Sequence, residues 1–566
     1  MVQQLNILQN VIQRLSNIRT DITGYLYGIV YEETLTIISF SLNSIDDDEN
    51  EIKPLDVQYH MPTEVNLIGI LYVDQEKPVT PDTFKDIDGT DNPLIIKYCS
   101  YSDTISPFYY INETLQPTTY EEISNDFFKN FFCVRAITNL PLFSEKKKVL
   151  EALQQIIKNI DPEKLGFYFK KTKRHFFKLK NSNNDCFQEI LYEELANSLF
   201  MSHFNSIPID TVTVSIFSRI SLDKSSEKQL LAPVLKYFEH GEYYKCYVKI
   251  DALALISKKI TLARFFEILV ESIRRNLRLI STSFHYYSKI KDATVCLPEP
   301  IHFNPLILGH LLTVVYPNKW SNLQTSEYRK HLHRKFGIDM TKPCFRKGSS
   351  LLLLYKYNDD LLVNPHKYVK NPTNSQVDIV HGLYQFYHYT SADTNWGCAY
   401  RALQTISSWF RFQGYTEKDV PQISEIQECL VDIGDKPSSF LNSSQWIGST
   451  EVGYVLESLF NVSVKILCAS SGSEMVKLVI HLADHFKTQG TPVMIGGNRL
   501  AYVILGVSYN DQYENVKFLI LDPHYIGAEN LKQITTKGYC GWKDKNFWAK
   551  NAFYNMCLPQ ISTNLY

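Results

Sequence analysis

The sequence predicts an α+β fold for the last third of this 566-residue chain. An amphipathic helix is expected from Cys398 to Phe412, because apolar residues recur there at helical spacing and Gly414 can end the helix. Short apolar strands are expected at 493–495, 502–507 and 516–521, the first two joined by a Gly-Gly loop. A helix packed on antiparallel strands is typical of the α+β class.

Length and charge limit the other possibilities. A chain of 566 residues is too long to fold around a single hydrophobic core, since a domain averages about 150 residues. The formal net charge is −2, so the chain as a whole has no field that favours nucleic acid or anionic lipid. No apolar run is long enough to span a membrane, and the N-terminus lacks the apolar core of a signal peptide. We therefore expect neither nucleic-acid binding nor a direct membrane span.

The eleven cysteines are widely spread, and no two of them form a Cys-x-x-Cys motif. This pattern argues against a zinc ribbon and favours free thiols in a reducing compartment. We therefore predict a cytoplasmic protein that needs neither a metal nor a cofactor.

Three regions are predicted along the chain: an N-terminal domain at 1–300, a connecting region at 301–375 and a second domain at 376–566. The stretch Asn371–Ser375 reads as a linker because it is short, polar and contains proline.

The N-terminal domain is expected to mix helices and strands, as in an α/β arrangement. Strands are predicted at 64–73 and 211–219, and helices at 187–200 and 262–279. An acidic segment at 44–51 is predicted to be a solvated loop.

A basic stretch at 321–347 has two interpretations. The simpler one is the exposed face of a helix, and the alternative is a patch for an acidic partner.

Cys398 is a candidate nucleophile because it stands at the head of the predicted helix. Asn395 is expected to cap that helix, so the cysteine falls in the first turn, where unpaired amides and the helix dipole stabilise a thiolate. Gly397 lets a substrate backbone come close, and Trp396 can form a wall of the site. The alternative is a buried, inert cysteine, which is our interpretation of the other ten.

Asp522 and His524 are candidates for the base and the group that orients it. They follow a predicted strand, and residues i and i+2 of an extended chain point to the same side. Asp522 could then accept from Nδ1 of His524 and leave Nε2 for the cysteine. By itself, Asp-Pro-His is more simply a turn. Together with Cys398, it favours a cysteine hydrolase.

An oxyanion donor would complete such a site. The amide of Cys398 is one candidate, and the hydroxyl of Tyr389, nine residues upstream, is another. Tyr389 also belongs to an aromatic cluster with Tyr384 and Phe386, so the residues alone leave open that it is only part of the core.

Six segments together resemble one family, the ubiquitin-fold-modifier-specific proteases, which are papain-like cysteine peptidases. These segments are Tyr387–Tyr389, Asn395–Arg401, Gly434–Pro437, Gln445–Ser449, Pro492–Gly497 and Asp522–Tyr525. The resemblance is strongest to the longer type, which carries a large N-terminal domain. It covers the last third of the chain and extends weakly upstream to about His302.

The resemblance implies cleavage after the C-terminal glycine of the ubiquitin-fold modifier, both in its precursor and in its conjugates with target proteins. It implies that Cys398 is the nucleophile, that Asp522 and His524 complete the triad, and that Tyr389 is the oxyanion tyrosine. The loop between Tyr389 and the Trp-Gly-Cys motif is shorter than the family pattern, and Tyr502 stands where the family usually has a histidine.

The resemblance also implies that the N-terminal domain is a non-catalytic domain of the MPN type. The His-x-His zinc ligands of active MPN peptidases are missing after the strand at 64–73. In the family this region contacts an endoplasmic-reticulum membrane adaptor, so we expect the same partner here.

Two alternatives to this function remain. Autophagins share the Trp-Gly-Cys and Asp-Pro-His motifs and cleave autophagy modifiers, whereas an inactive adaptor would bind a modifier without cutting it. The Cys-Ala-Tyr-Arg continuation and the long N-terminal domain argue against an autophagin, and the complete triad argues against an inactive adaptor. We also predict a narrow groove for the glycine-ending tail between Trp396 and the pair Gly496 and Gly497.

Overall fold

The computed structural model describes residues 4–43, 54–75, 78–162, 165–169, 174–177, 210–218, 243–289, 297–350, 362–510 and 515–561. These residues form two compact units, one up to Met340 and one from Thr341 onward. The predicted boundaries at 300 and 375 lie on either side of this division. The loop predicted at 44–51 and the helix predicted at 187–200 lie outside the described residues.

An eight-stranded mixed sheet opens the first unit. Its strands are β1 (Gln4–Leu8), β2 (Ile22–Tyr31), β3 (Thr34–Leu42), β4 (Asn66–Val73), β5 (Leu94–Cys99), β6 (Thr104–Ile111), β7 (Thr114–Pro117) and β8 (Tyr120–Ile123). Their order is β7-β6-β5-β4-β2-β3-β1-β8, with helices α1 (Gln9–Leu15) and α2 (Pro54–Gln58) between strands. The strand predicted at 64–73 is confirmed as β4, which is buried from Leu67 to Val73 because it lies inside the sheet.

A second sheet of the first unit carries a long helix. Its strands are β9 (Phe131–Glu145), β10 (Leu165–Phe169), β11 (Arg174–Phe177), β12 (Asp210–Ser218) and β13 (Tyr243–Ser257), in the order β11-β10-β12-β9-β13. Helices α3 (Val149–Asn159) and α4 (Leu262–Ser288) join the same buried cluster, to which α4 contributes Phe265, Leu269 and Ile273. The strand predicted at 211–219 and the helix predicted at 262–279 are confirmed as β12 and α4.

The basic stretch forms a helix, as the simpler interpretation predicts, but several of its basic side chains are buried. After the pair β14 (Pro298–Phe303) and β15 (Leu312–Pro317), it forms helix α5 (Ser326–Lys335). Arg329, His333 and Lys335 are buried, so the basic residues of α5 do not form one continuous exposed face. Local hydrogen bonds satisfy part of the Arg329 guanidinium: Nη1 donates to the carbonyl of Asn322 and to Thr325 Oγ1, at 2.5 and 2.8 Å.

An antiparallel sheet forms the centre of the second unit. Its strands are β16 (Gln376–Ile379), β17 (Val464–Ala469), β18 (Val493–Gly497), β19 (Leu500–Tyr509), β20 (Lys517–Leu521), β21 (Cys540–Asp544) and β22 (Tyr554–Pro559). The order is β17-β22-β18-β19-β20-β21, and β16 pairs with the end of β19 that extends beyond β18. The three predicted strands are confirmed as β18, β19 and β20.

The helices of the second unit are α6 (Cys398–Phe412), α7 (Ile423–Asp432), α8 (Ser449–Phe460), α9 (Val479–Thr488) and α10 (Leu531–Thr536). Helix α6 has the predicted bounds and packs on β18 and β19, which makes the second unit the predicted α+β arrangement. Within the described part of the chain, no helix combines the length and the apolar character that crossing a bilayer requires.

The predicted Gly-Gly loop is wrong, because Gly496 and Gly497 are the last two residues of β18. The turn to β19 consists of Asn498 and Arg499, both with positive φ (50° and 66°). Two positive φ values define the tight hairpin turn whose twist matches that of the strands. The hairpin therefore carries both glycines into the sheet, beside β22.

Candidate active site

Cys398 is the first residue of α6, and its side chain is buried, with 8% exposed. The prediction that Asn395 caps the helix is wrong. Gly397 occupies the cap position, and Asn395 has a left-handed φ of 76° in the preceding turn. The thiol still lies at the positive end of the helix dipole, where the amides of the first turn have no intrahelical acceptor.

Asp522 and His524 form a directly bonded pair just after β20. His524 Nδ1 lies 2.5 Å from Asp522 Oδ1, and the same oxygen accepts from the backbone N–H of His524 at 3.0 Å. Because one carboxylate oxygen holds both groups, the imidazole has a fixed orientation with Nδ1 as the donor. The carbonyl of Pro523, between them, accepts a hydrogen bond from the backbone N–H of Tyr389 at 2.8 Å, which holds the tyrosine against this segment.

The thiol and the imidazole alter each other's ionisation. Burial raises the pKa of Cys398, but contacts with His524 and Tyr389 lower it by more, so the net pKa lies below that of an ordinary thiol. Burial lowers the pKa of His524, but Asp522 and Cys398 raise it to about 9. These opposite directions favour a thiolate–imidazolium pair at neutral pH.

His524 Nε2 remains available for chemistry. The atom is buried and has no well-aligned hydrogen bond to any described residue. Catalytic hydrogen bonds are often loose in a site without substrate, and they tighten when substrate binds. The backbone N–H of Ala501, on β19, also contacts the thiol and favours its charged form.

Tyr389 lies at the thiol with its hydroxyl protonated. The ring packs edge-on against His524, with centroids 5.1 Å apart, and the residue is 5% exposed. Burial and the neighbouring Cys398 raise the pKa of the phenol, so the hydroxyl can donate a hydrogen bond at neutral pH. The structure thus brings Tyr389 together with Cys398, Asp522 and His524.

The residues predicted to line a groove have different surroundings. Trp396 is partly buried and packs edge-on against Tyr400 at 5.5 Å. A Cβ added to Gly497 would overlap the ring of Tyr554 on β22, so the sheet itself requires this glycine. A Cβ on Gly496 would come no closer than 3.2 Å to Asn555 Oδ1.

Sequence reasoning missed two contributors to the site. Tyr502 packs its ring against His524 at 5.4 Å, on β19, so the imidazole contacts two tyrosine rings. Asp393 and Arg401 form a buried ion pair beside the helix start, with Arg401 Nε 2.8 Å from Asp393 Oδ2. An acidic residue shortly before the helix and an arginine in its first turn were the available signal for this pair.

Comparison with known proteins gives the family. A protein of Drosophila pseudoobscura pseudoobscura, "Probable Ufm1-specific protease 2", is 33% identical over an alignment of 611 positions, gaps included, which covers 99% of each chain. The chain belongs to the Ufm1-specific protease 2 family. Members from Gallus gallus and Homo sapiens are each 42% identical over 60% of this chain and over 75% and 74% of theirs.

Three domain profiles match successive parts of this family member. They are the Insect UFM1-specific protease N-terminal MPN-like domain at 1–128, Ubiquitin-fold modifier 1 specific protease 2, N-terminal, at 205–360, and Peptidase family C78 at 375–557. The crystal structure of UfSP from C. elegans covers 99% of both chains with a TM-score of 0.73 and 24% identity, a likeness of fold. The papain-like fold, the MPN-like N-terminal domain and the cysteine peptidase class of the Ufm1-specific protease 2 family are therefore confirmed.

Proposed function

We propose that this chain hydrolyses the bond after the C-terminal glycine of Ufm1, the ubiquitin-fold modifier. Cleavage of a peptide bond would mature the precursor, and cleavage of an isopeptide bond would release Ufm1 from target proteins. The observation that carries the proposal is the hydrogen-bonded Asp522–His524 pair beside Cys398, a buried thiol whose pKa lies below that of an ordinary thiol. The substrate is inferred from a relative named "Probable Ufm1-specific protease 2", whose sequence aligns with nearly the whole chain.

Acylation begins when the Cys398 thiolate attacks the carbonyl carbon of the terminal glycine. The electron pair moves to the carbonyl oxygen, where the Tyr389 hydroxyl and the Cys398 amide can donate hydrogen bonds. His524 then gives its Nε2 proton to the leaving amine, the C–N bond breaks, and a thioester forms. Asp522 remains an ionised acceptor that keeps Nδ1 protonated.

Deacylation reverses the proton path. His524, now neutral, takes a proton from water while the water oxygen attacks the thioester carbonyl. The C–S bond breaks, the thiolate–imidazolium pair is restored, and the glycine leaves as a carboxylic acid that loses its proton to solvent. The hydrogen bond to Asp522, which raises the pKa of His524, favours the imidazole as the proton acceptor in this step.

The glycine specificity is proposed to come from a narrow approach to Cys398 between Trp396 and the end of β18. Gly496 supports this idea because a Cβ added there would lie 3.2 Å from Asn555 Oδ1 and 3.5 Å from Met494 Cε, so little room remains for a side chain. At Gly497 the Tyr554 ring already fills the space of a side chain, so this ring rather than an empty volume would limit the groove.

The function is tested with Ufm1 that carries a C-terminal fluorogenic amide. The wild-type chain is expected to release the fluorophore, and the Cys398→Ser variant is expected to lose at least about 10³-fold in kcat, because a hydroxyl at this position stays protonated. The Cys133→Ser variant is the matched control, since burial raises the pKa of that thiol to about 12 and it lies in the first unit, whereas His524 lies in the second.

The same assay separates the alternatives. Release from an autophagy modifier, with no release from Ufm1, would identify an autophagin-like specificity. Silence on both substrates, with Cys398 labelled by a thiol probe no faster than the other cysteines, would identify an inactive adaptor.

The N-terminal domain is proposed to bind an endoplasmic-reticulum membrane adaptor, so that a cytoplasmic enzyme acts at that membrane. The support is the family resemblance and the match of residues 1–128 to an MPN-like domain. We extend to this chain the partner that the resemblance implies.

A further inference from the structure

Asp393 is a buried carboxylate that the catalytic steps above do not use. Its side chain is 2% exposed and accepts hydrogen bonds from two residues. Thr390 donates through its backbone N–H at 2.8 Å and through its hydroxyl, and Arg401 donates through Nε and Nη2 at 2.8 and 3.0 Å. Burial raises the pKa of Asp393, but Arg401 and Thr390 lower it by more, so the carboxylate is charged at neutral pH.

These bonds join the two segments that carry the reacting groups. Thr390 directly follows Tyr389, and Arg401 lies in the first turn of α6, three residues after Cys398. The carbonyl of Asp393 also accepts from the N–H of Gly397, at 2.9 Å. A charged, bidentate contact of this kind has a defined geometry, because the guanidinium fork fits only one orientation of the carboxylate.

Gly397 fits the same arrangement. A Cβ added at this position would overlap the carboxylate of Asp393, so the glycine lets Asp393 pack against the helix start. This contact closes the loop between Tyr389 and Cys398, the loop that is shorter than the family pattern. A short loop held at one central carboxylate leaves Tyr389 little freedom relative to the helix.

We propose that Asp393 is a positioning residue that, through Thr390 and Arg401, fixes the Tyr389 hydroxyl relative to the Cys398 thiol. This inference rests on the proposed peptidase function and concerns its oxyanion step. Oxyanion stabilisation needs donors held close to one geometry, so a small displacement of Tyr389 reduces the rate. Formation of the thiolate depends first on His524, which Asp522 orients and to which Asp393 is not hydrogen-bonded, and only then on the Tyr389 hydroxyl.

The Asp393→Asn variant separates these two effects. It keeps the shape of the side chain but loses the charge that pairs with Arg401. For the fluorogenic Ufm1 amide, kcat is expected to fall about 30- to 300-fold with less than about threefold change in KM. The rate of Cys398 alkylation by iodoacetamide at neutral pH is expected to change by less than about threefold, because alkylation needs the thiolate, which His524 still stabilises, but no oxyanion donor.

The matched control is Asp419→Asn. Asp419 forms an ion pair at 3.2 Å with Arg411, which lies on α6 like Arg401. Because the Asp419 side chain is 89% exposed, the kcat and the Cys398 alkylation rate of this variant should match the wild type. A double-mutant cycle locates the effect. In a Tyr389→Phe background, Asp393→Asn is expected to reduce kcat by less than about threefold, since the group it positions is already gone.

Three results would overturn the proposal: a wild-type kcat in Asp393→Asn, an undiminished loss in the Tyr389→Phe background, or a parallel loss of alkylation. A thermal melt of each variant checks folding. If Asp393→Asn does not fold, Arg401→Lys keeps the charge while removing the fork, and it must show the same selective fall in kcat. Failure of the proposed function looks different, because the wild type itself would then leave the Ufm1 amide intact.

Discussion

The proton held between Cys398 and His524 sets the reactivity of the site. Asp522 holds the imidazole in its charged form and raises its pKa to about 9, whereas the pKa of Cys398 lies below its usual value. Because the thiolate exists before substrate arrives, Cys398 needs no base to start the attack.

Replacing Asp522 with asparagine is expected to move the alkaline limb of activity to lower pH. The active imidazolium is lost as pH rises through the pKa of His524, about 9, and the active thiolate is lost as pH falls through the lowered pKa of Cys398. Without the carboxylate the His524 pKa falls, and the alkaline limb should shift by about one to two pH units. The dependence of kcat/KM on pH, measured on the Ufm1 amide, reports both limbs.

Glu529→Gln is the control for this shift. Its carboxylate lies in the same part of the chain but bonds His388 Nε2, at 3.1 Å, instead of His524. The alkaline limb of this variant should coincide with that of the wild type. Identical limbs for Asp522→Asn and wild type would mean that Asp522 does not hold the imidazolium.

Among individual residues, those whose role follows from local chain geometry were predictable. A cysteine at a helix start and an aspartate two residues from a histidine on extended chain can be read directly from sequence. The surroundings of the glycines could not be read in this way, because the ring beside Gly497 comes from β22 and the carboxylate beside Gly397 from a folded loop. Asn395 was misread because its left-handed φ places it in the turn before the cap.

The β18–β19 hairpin places the catalytic surroundings on a rigid element. Strand β18 is paired on both sides, with β22 and β19, and β19 carries Ala501 and Tyr502 to the cysteine and the histidine. Sites supported by paired strands hold their geometry better than sites on free loops. The alignment of thiol and imidazole therefore depends on close packing between these strands.

Gly497→Ala is expected to destabilise the second unit, because the new methyl group overlaps the Tyr554 ring. Overpacking of this kind costs about 1–3 kcal/mol in the free energy of unfolding. For a unit of this size it should lower Tm by about 2–10 °C. Gly496→Ala is the matched control, since its methyl group meets Asn555 Oδ1 at 3.2 Å and needs only a small side-chain shift.

Thermal melts and Ufm1 cleavage assays of both variants together distinguish a packing role from a role in lining the approach to Cys398. If Gly496 lines the approach to Cys398, Gly496→Ala should lose cleavage while keeping its Tm. Equal melting temperatures for Gly497→Ala and the wild type would contradict the packing role of Gly497.

Elements with a strong local pattern were predicted more closely than their arrangement. Helix α6 has the predicted bounds, because its apolar face repeats at helical spacing and Gly414 follows it. The hairpin turn was missed because Asn498 and Arg499 lack the glycine that usually marks positive φ. Helix α5 was misjudged because the buried Arg329 donates to the carbonyl of Asn322 instead of pointing into solvent.

Each unit of the molecule has its own hydrophobic core. The buried cluster of the second unit draws its residues from between Leu362 and Leu558, and a cluster of the first unit from between Phe132 and Val315. The order of the eight-stranded sheet was beyond prediction, because it depends on pairing between distant strands such as β1 and β8. That the chain holds more than one core did follow from its length.

A fragment of residues 341–566 is expected to cleave the Ufm1 amide with a kcat within about threefold of the full chain, and to lose association with the endoplasmic reticulum. The reason for activity is that Cys398, Asp522, His524 and Tyr389 all lie in the second unit, whose core is made of its own residues. The reason for lost association is that the proposed adaptor binds the N-terminal domain.

Cleavage assays and membrane fractionation measure the two properties, with full-length Cys398→Ser as the control that stays on the membrane but does not cleave. A fragment that melts cooperatively yet is inactive would show that the first unit takes part in catalysis, whereas a fragment that remains on the membrane would contradict the proposed adaptor site.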